Sequence, residues 1–237
     1  MWRDALSRPA AAASDTVGEP FAFRFAGERL LACPSGVLLW PARGALIVSD
    51  LHLEKGSWFA ARGQPLPPYD TSETLDRLAR LLDHHKPRLV ICLGDSFHDG
   101  QAGGRWTETE RQALDACMAG REWLWVLGNH DPCLPASVTG TVATERTIAP
   151  FTFRHQARPQ AQAEISGHYH PKVRVARRGH RLSYKCALVG PDHLILPAFG
   201  AFTGGLDVSD PVYAPFKVGG ATALALGRRR VAPVAIA

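Results

Sequence analysis

Residues 88–95, RLVICLGD, set five consecutive apolar side chains, Leu89 to Leu93, between an arginine and a Gly-Asp pair. A run without polar alternation suits a strand covered on both faces, ending where the polar residues begin. Upstream, ALIVSD (45–50) repeats the pattern, and downstream EWLWVLGN (122–129) repeats it again. Between the first two runs, Asp70 followed by Glu73 has the form of a capping box, and Leu75, Leu78, Ala79 and Leu82 make one helical stripe that stops before Pro87. Between the second and third, Thr107-x-x-Glu110 opens another helix that runs to about Gly120. Alternation of buried strands with helices predicts a largely parallel sheet with helices on its faces and polar groups gathered beyond the carboxyl ends of the strands.

Working outward, FAFRF, RLLAC and GVLLW (21–40) read as short strands separated by turn residues at Gly27 and Pro34-Ser35-Gly36. Residues 1–20 mix Ala, Ser, Pro and Asp without periodicity and read as a flexible tail. Beyond Pro132 there is no long helical pattern, only short strand candidates: TVATE, PFTFRH, AEISGH, KVRVA, RLSYKCALV, HLILPA, TALAL and RVAPVAI. The expected fold is α/β, a two-sheet β-sandwich flanked by helices, in one domain over residues 21–237.

The 237 residues are 46% hydrophobic and 21% charged, with no run long enough to span a membrane, which excludes disordered, fibrous and helical membrane classes. Five scattered cysteines, none in a CxxC pair, and no apolar leader core near Ala10–Ala13 fit a reducing cytoplasm. A formal charge of +5 favours an anionic partner.

Polar clusters follow the buried runs directly: Asp50-Leu51-His52, Gly94-Asp95 through His98 and Asp99, and Gly128-Asn129-His130-Asp131, with Gly167-His168-Tyr169-His170 after AEIS. Carboxylates and imidazoles are ligands for borderline divalent cations, and the x-spaced pairs Asp50/His52 and His168/His170 point both side chains one way if strand geometry persists. Asn129 is the single asparagine of the chain. DxH, GD, GNH(D) and GHxH in this order resemble the motif set of calcineurin-like metallophosphoesterases over Ala45 to about Phe199. More narrowly, SDLHLEKGS, LGDSFHD, GNHD, SGHYHP and PAFGAFTGG are similar to the ligase-associated DNA damage response endonucleases, the PdeM group, at nearly full length.

The resemblance implies a division of labour. Asp50, His52 and His170 would hold one metal, Asp95 would bridge, and Asn129, His155 and His168 would hold a second. His155 lies outside the motifs and is assigned as the lone histidine between GNHD and GHYH. His130 would contact phosphate and aid the leaving group, oriented by His98 in a GDxFH pattern that resembles SbcD-type repair nucleases, or else by Asp99. Two divalent cations, Mn first and Fe, Zn or Ni as options, would activate a water for in-line attack on phosphorus.

The implied activity is a dinuclear metal-dependent phosphodiesterase or DNA endonuclease in DNA repair, associated with an ATP-dependent DNA ligase, a helicase and an exonuclease. The alternatives are a small-molecule phosphatase or nucleotide pyrophosphatase on the same fold, and a non-catalytic scaffold, which retention of every ligand position argues against. Arg174, Arg177, Arg178, Arg181 and Lys185 form a basic hairpin suited to a nucleic-acid backbone. Aromatic residues interleave poorly there apart from Tyr184, so base stacking is not indicated by the sequence. Trp58, Phe59 and Arg62 either shape the pocket or pack.

Overall fold

The computed structural model describes residues 18–64, 69–177 and 180–236. The first half contains β1 (Phe21–Phe25), β2 (Glu28–Ala32), β3 (Leu38–Trp40), β4 (Ala45–Val48), α1 (Lys55–Ala60), α2 (Asp70–His85), β5 (Leu89–Leu93), α3 (Glu108–Met118), β6 (Glu122–Val126) and β7 (Thr141–Ala143). The second contains β8 (Glu145–Ile148), β9 (Phe151–Arg154), β10 (Glu164–Ser166), β11 (Lys172–Arg177), β12 (His180–Val189), β13 (His193–Ile195), β14 (Ala221–Leu226) and β15 (Val231–Ile236).

The strands form two mixed sheets, as the sandwich reading predicts. One runs β1-β2-β3-β4-β5-β6-β7, and the other runs β15-β14-β12-β13-β10-β9-β8 with β11 paired to β12. The first sheet is less parallel than the sequence suggests. β4 through β7 are parallel, but β1 to β4 pair antiparallel. Connection length is the cause: short turns join β1 to β4 and permit only hairpins, whereas α2 and α3 supply the long crossovers that parallel pairing requires.

Period-2 geometry divides the buried runs between two cores. Leu46, Val48, Val90, Cys92, Trp123 and Trp125 pack with Leu75, Leu78 and Leu82 of α2 and Leu114 of α3. Their neighbours Ala45, Ile47, Ile91, Leu93, Leu124 and Val126 face Phe151, Phe153, Ile165, Leu194 and Leu224 of the second sheet. A third cluster, with Cys186, Leu188 and Ala223, is covered by Tyr213 and Phe216 of a 3-10 segment, Pro211–Phe216.

Capping shows where local signals hold. Thr107 caps α3 in a complete capping box with Glu110. At α2 the expected box does not form: Tyr69 occupies the cap position and Asp70, inside the helix and buried, accepts from the Gly56 N–H at 2.8 Å. The carboxylate is diverted because the first turn of α1 needs an acceptor and its own cap residue, Glu54, provides none. The expected tail lies outside the described residues up to position 17, while Glu19 N donates to Arg229 O at 3.0 Å.

Candidate metal centre

Asp50, Asp95 and Asn129 follow the parallel strands β4, β5 and β6, and His155 and His168 follow the parallel strands β9 and β10, so chain direction alone brings five expected ligands to one edge of the sandwich. The loops that carry them are knitted main chain to main chain: Asp50 N to Gly94 O at 3.2 Å, His52 N to Asp95 O at 2.9 Å and Gly200 N to Asp50 O at 3.0 Å.

The x-spaced pairs reach the site by a different geometry from the one expected. β4 ends at Val48 and β10 at Ser166, and Asp50, His52, Asp95, His168 and His170 take φ values of 53°, 46°, 46°, 70° and 48°. Left-handed backbone is unfavourable for such residues and persists only where surrounding structure over-determines it. Here alternate left-handed residues, not a pleat, deliver the side chains: Asp50 and His52 to one ligand group, and His168 and His170 to separate groups.

Two groups of ligand atoms result. Asp50, His52 and His170 offer atoms within 4.8 Å of one another, as do Asp95, His155 and His168. Asn129 Oδ1 lies 3.0 Å from His155 Nε2 and joins the second group. The groups are contiguous, since His168 N donates to Asp50 Oδ2 at 3.1 Å. Asp50 Oδ1, His52 Nδ1 and His170 Nε2 are buried and have no hydrogen-bond partner, although Asp50 Oδ1 and His170 Nε2 lie 3.0 Å apart. A buried carboxylate and two imidazoles gathered this closely, with few hydrogen bonds to other groups, fit a cation.

Protonation agrees with ligation at His52 and the two carboxylates, whereas His155 has to give up a proton to bind a cation. Burial pushes His52 down to about 3 despite the nearby Asp50 and Asp95, so its imidazole is neutral. Burial tends to raise Asp50 and Asp95, but His170 at the first and His155 at the second hold both carboxyls below the usual range. Burial likewise opposes charge on His155, yet its contact with Asp95, at 3.3 Å, and the Asp50 charge lift it to about 9. Close packing leaves no room for side chains at two glycines: a Cβ on Gly94 would strike the His155 ring, and one on Gly128 would strike Asp95.

Asp131 is a site residue whose role the sequence hides. Fully buried, it accepts from the N–H groups of Gly128 (2.8 Å), Asp95 (3.0 Å), Ser96 (2.7 Å) and Phe97 (3.2 Å), fastening the GNHD loop to the GDSF loop. Burial pushes its carboxyl up to about 6 against the pull of these donors.

His130 is exposed, and its N–H donates to Asp95 Oδ1 at 2.9 Å. Its Nδ1 lies 2.9 Å from the main-chain oxygen of His98, with the two rings stacked at 5.1 Å. The His98 side chain therefore packs on His130, while its carbonyl orients the ring. Asp99 is engaged elsewhere, with Arg105 at 2.8 Å and Gln101 N at 2.7 Å. Trp58 and Phe59 of α1 lie 5.0 Å and 5.9 Å from the His98 ring, and Arg62 sits 3.7 Å over Trp58.

The hairpin β11–β12 pairs Lys172 with Lys185, Arg174 with Ser183 and Ala176 with Arg181. Cross-strand partners share a face, so Lys172, Arg174, Arg181 and Lys185 stand together, opposite a face that packs Val173 on the third core. Arg174 and Arg181 are exposed, with Arg174 3.5 Å from Asp207. Lys185 is turned inward, its Nζ donating to Ala198 O at 2.7 Å and Thr203 Oγ1 at 3.0 Å, and burial pulls its ammonium down to about 8. Arg178 and the side chain of Arg177 lie outside the described residues.

A sandwich that delivers Asp, Asn and His ligands from five strand ends is the architecture of a metallophosphoesterase. The calcineurin-like phosphoesterase family model matches residues 45–171, more than half of the chain, and the chain belongs to that family. Among solved structures it is similar to the nuclease MPE of Pseudomonas putida, at 29% identity and a TM-score of 0.70 over 91% of this chain and 100% of that one. Yfce, a phosphoesterase from E. coli, aligns at 13% identity and a TM-score of 0.39 over 81% and 99% of the two chains. No curated protein matches the chain.

Proposed function

We propose that this hydrolase is a dinuclear metal-dependent phosphodiesterase acting as a DNA endonuclease in repair, within one domain spanning residues 21–237 and in the cytoplasm. The observation that carries this reading is the pair of adjoining ligand groups, Asp50, His52 and His170 in one and Asp95, His155 and His168 in the other. The likeness to the P. putida nuclease supports the choice of a nucleic-acid substrate. No helix of the described residues is long and apolar enough to cross a membrane.

Asp50, His52 and His170 would hold one cation and Asn129, His155 and His168 the other, with Asp95 between them. Oxygen and imidazole ligands without thiolate suit Mn, then Fe, Zn or Ni. When bound, two such ions polarise phosphoryl oxygens and lower the pKa of water. The rest falls to the chain. To donate to the His98 carbonyl, His130 Nδ1 must carry a proton, so Nε2 is the ring nitrogen left to exchange a proton with the leaving oxygen. An ATP-dependent ligase, a helicase and an exonuclease would be the functional partners.

Purified protein with Mn²⁺ should cut linear, single-stranded and circular DNA, the last requiring internal incision. Hydrolysis confined to nucleotides or phosphomonoesters would replace this reading with the small-molecule one. Each phosphate neutralised by Lys or Arg contributes roughly 0.9 to the salt slope on duplex DNA. Replacing Arg177, Arg178 and Arg181 together by Ser should therefore weaken DNA affinity and flatten that slope by about 2 to 3. An unaltered slope in anisotropy titrations would show that the hairpin takes no part.

A further inference from the structure

We infer that Tyr69 and Phe202 form a nucleobase-stacking platform that holds single-stranded DNA beside the metal centre. The inference rests on the nuclease reading above. Among the described Phe, Tyr and Trp residues these two are the side chains left exposed, at 53% and 45%, and they adjoin, with ring centroids 6.2 Å apart. Every other described Phe, Tyr or Trp ring is buried or half-buried.

Both belong to segments that build the site. Phe202 lies in the loop 197–205, where Gly200 N donates to Asp50 O at 3.0 Å, Ala201 N to Thr74 Oγ1 at 3.0 Å, and the Gly205 backbone packs against His170 O. Tyr69 caps α2, whose next two residues hold α1 and Glu54 through Asp70 and Thr71. Lys55 links the two sides, its Nζ donating to Phe202 O at 3.0 Å. Phe202 has a φ of 53°, a conformation a bulky residue adopts only under constraint. That constraint accompanies a ring turned to water instead of into a core.

Chemistry favours a base as the occupant. Two rings are far too small for a stable protein interface, which takes about 800 Å² from each partner. Base–aromatic stacking is worth about 1–3 kcal/mol per base and tolerates any sequence. Lys55 beside the rings and the basic face of β11–β12 supply positive charge for the backbone between stacked bases.

Mn²⁺-loaded protein should be compared on fluorescein-labelled oligothymidylate and on a strand of equal length with abasic sugars. Wild type should favour the base-bearing strand by about tenfold or more in kcat/KM, mostly through KM. Tyr69→Ala and Phe202→Ala should each cut that preference severalfold, and Tyr69→Leu and Phe202→Leu, which keep apolar bulk without a ring, should do the same. Equal cleavage of both strands by wild type, or variants that melt normally and keep its preference, would overturn the platform alone. Failure to cut either strand while bis(p-nitrophenyl) phosphate is hydrolysed would overturn the nuclease reading and the platform together.

Discussion

Asp95→Asn should remove bound metal and activity together while leaving a cooperatively folded protein. The carboxylate adjoins both ligand groups: Oδ2 lies 3.3 Å from His155 Nε2, and its charge acts on His52. An amide keeps an oxygen to accept from His130 N, so the loop retains that hydrogen bond, but it loses the negative charge that a cation needs. Metal ions contribute several kcal/mol of transition-state stabilisation, and each 1.36 kcal/mol is tenfold in rate, so turnover should fall about a thousandfold or more. Elemental analysis, a melting curve and phosphodiester hydrolysis on the same preparation check this. A folded variant with full metal content and near-normal turnover would contradict the assignment.

His130→Ala should separate proton delivery from metal binding. The ring is exposed, lies outside both ligand groups and is held by the His98 carbonyl, so its loss should spare metal content yet slow turnover by about a hundredfold or more. His98→Ala keeps that carbonyl and removes only the stacked ring. Aromatic pairs are worth about 0.5–1.5 kcal/mol, which gives a defect of about two- to tenfold. Asp99→Ala should be milder still, because Asp99 faces Arg105. Release of metal by His130→Ala would place this histidine among the ligands.

The sequence makes the frame legible because the buried runs at β4, β5 and β6 carry no competing period, and Thr107 caps α3 as its pattern predicts. It hides what depends on tertiary partners. Helix α1 has a glycine and no local cap, and exists because Asp70 reaches back to Gly56. The short strand β8 is exposed and polar along most of its length, so no apolar pattern marks it. The ligand residues are visible as motifs, but their left-handed backbone is not: Asp and His are no signature of it as glycine would be. Orientation of His130 by a main-chain carbonyl leaves no trace in residue identity at all. Tyr69 and Phe202, far apart in the chain, become neighbours only when the loop 197–205 closes over Asp50 and Thr74.

Two cations would occupy the two adjoining ligand groups. Anomalous diffraction at the manganese edge from crystals of the Mn²⁺-loaded protein tests that most directly. Two peaks are predicted, one among Asp50, His52 and His170 and one among Asn129, His155 and His168, with Asp95 touching both. A single peak, or peaks away from these side chains, would contradict it.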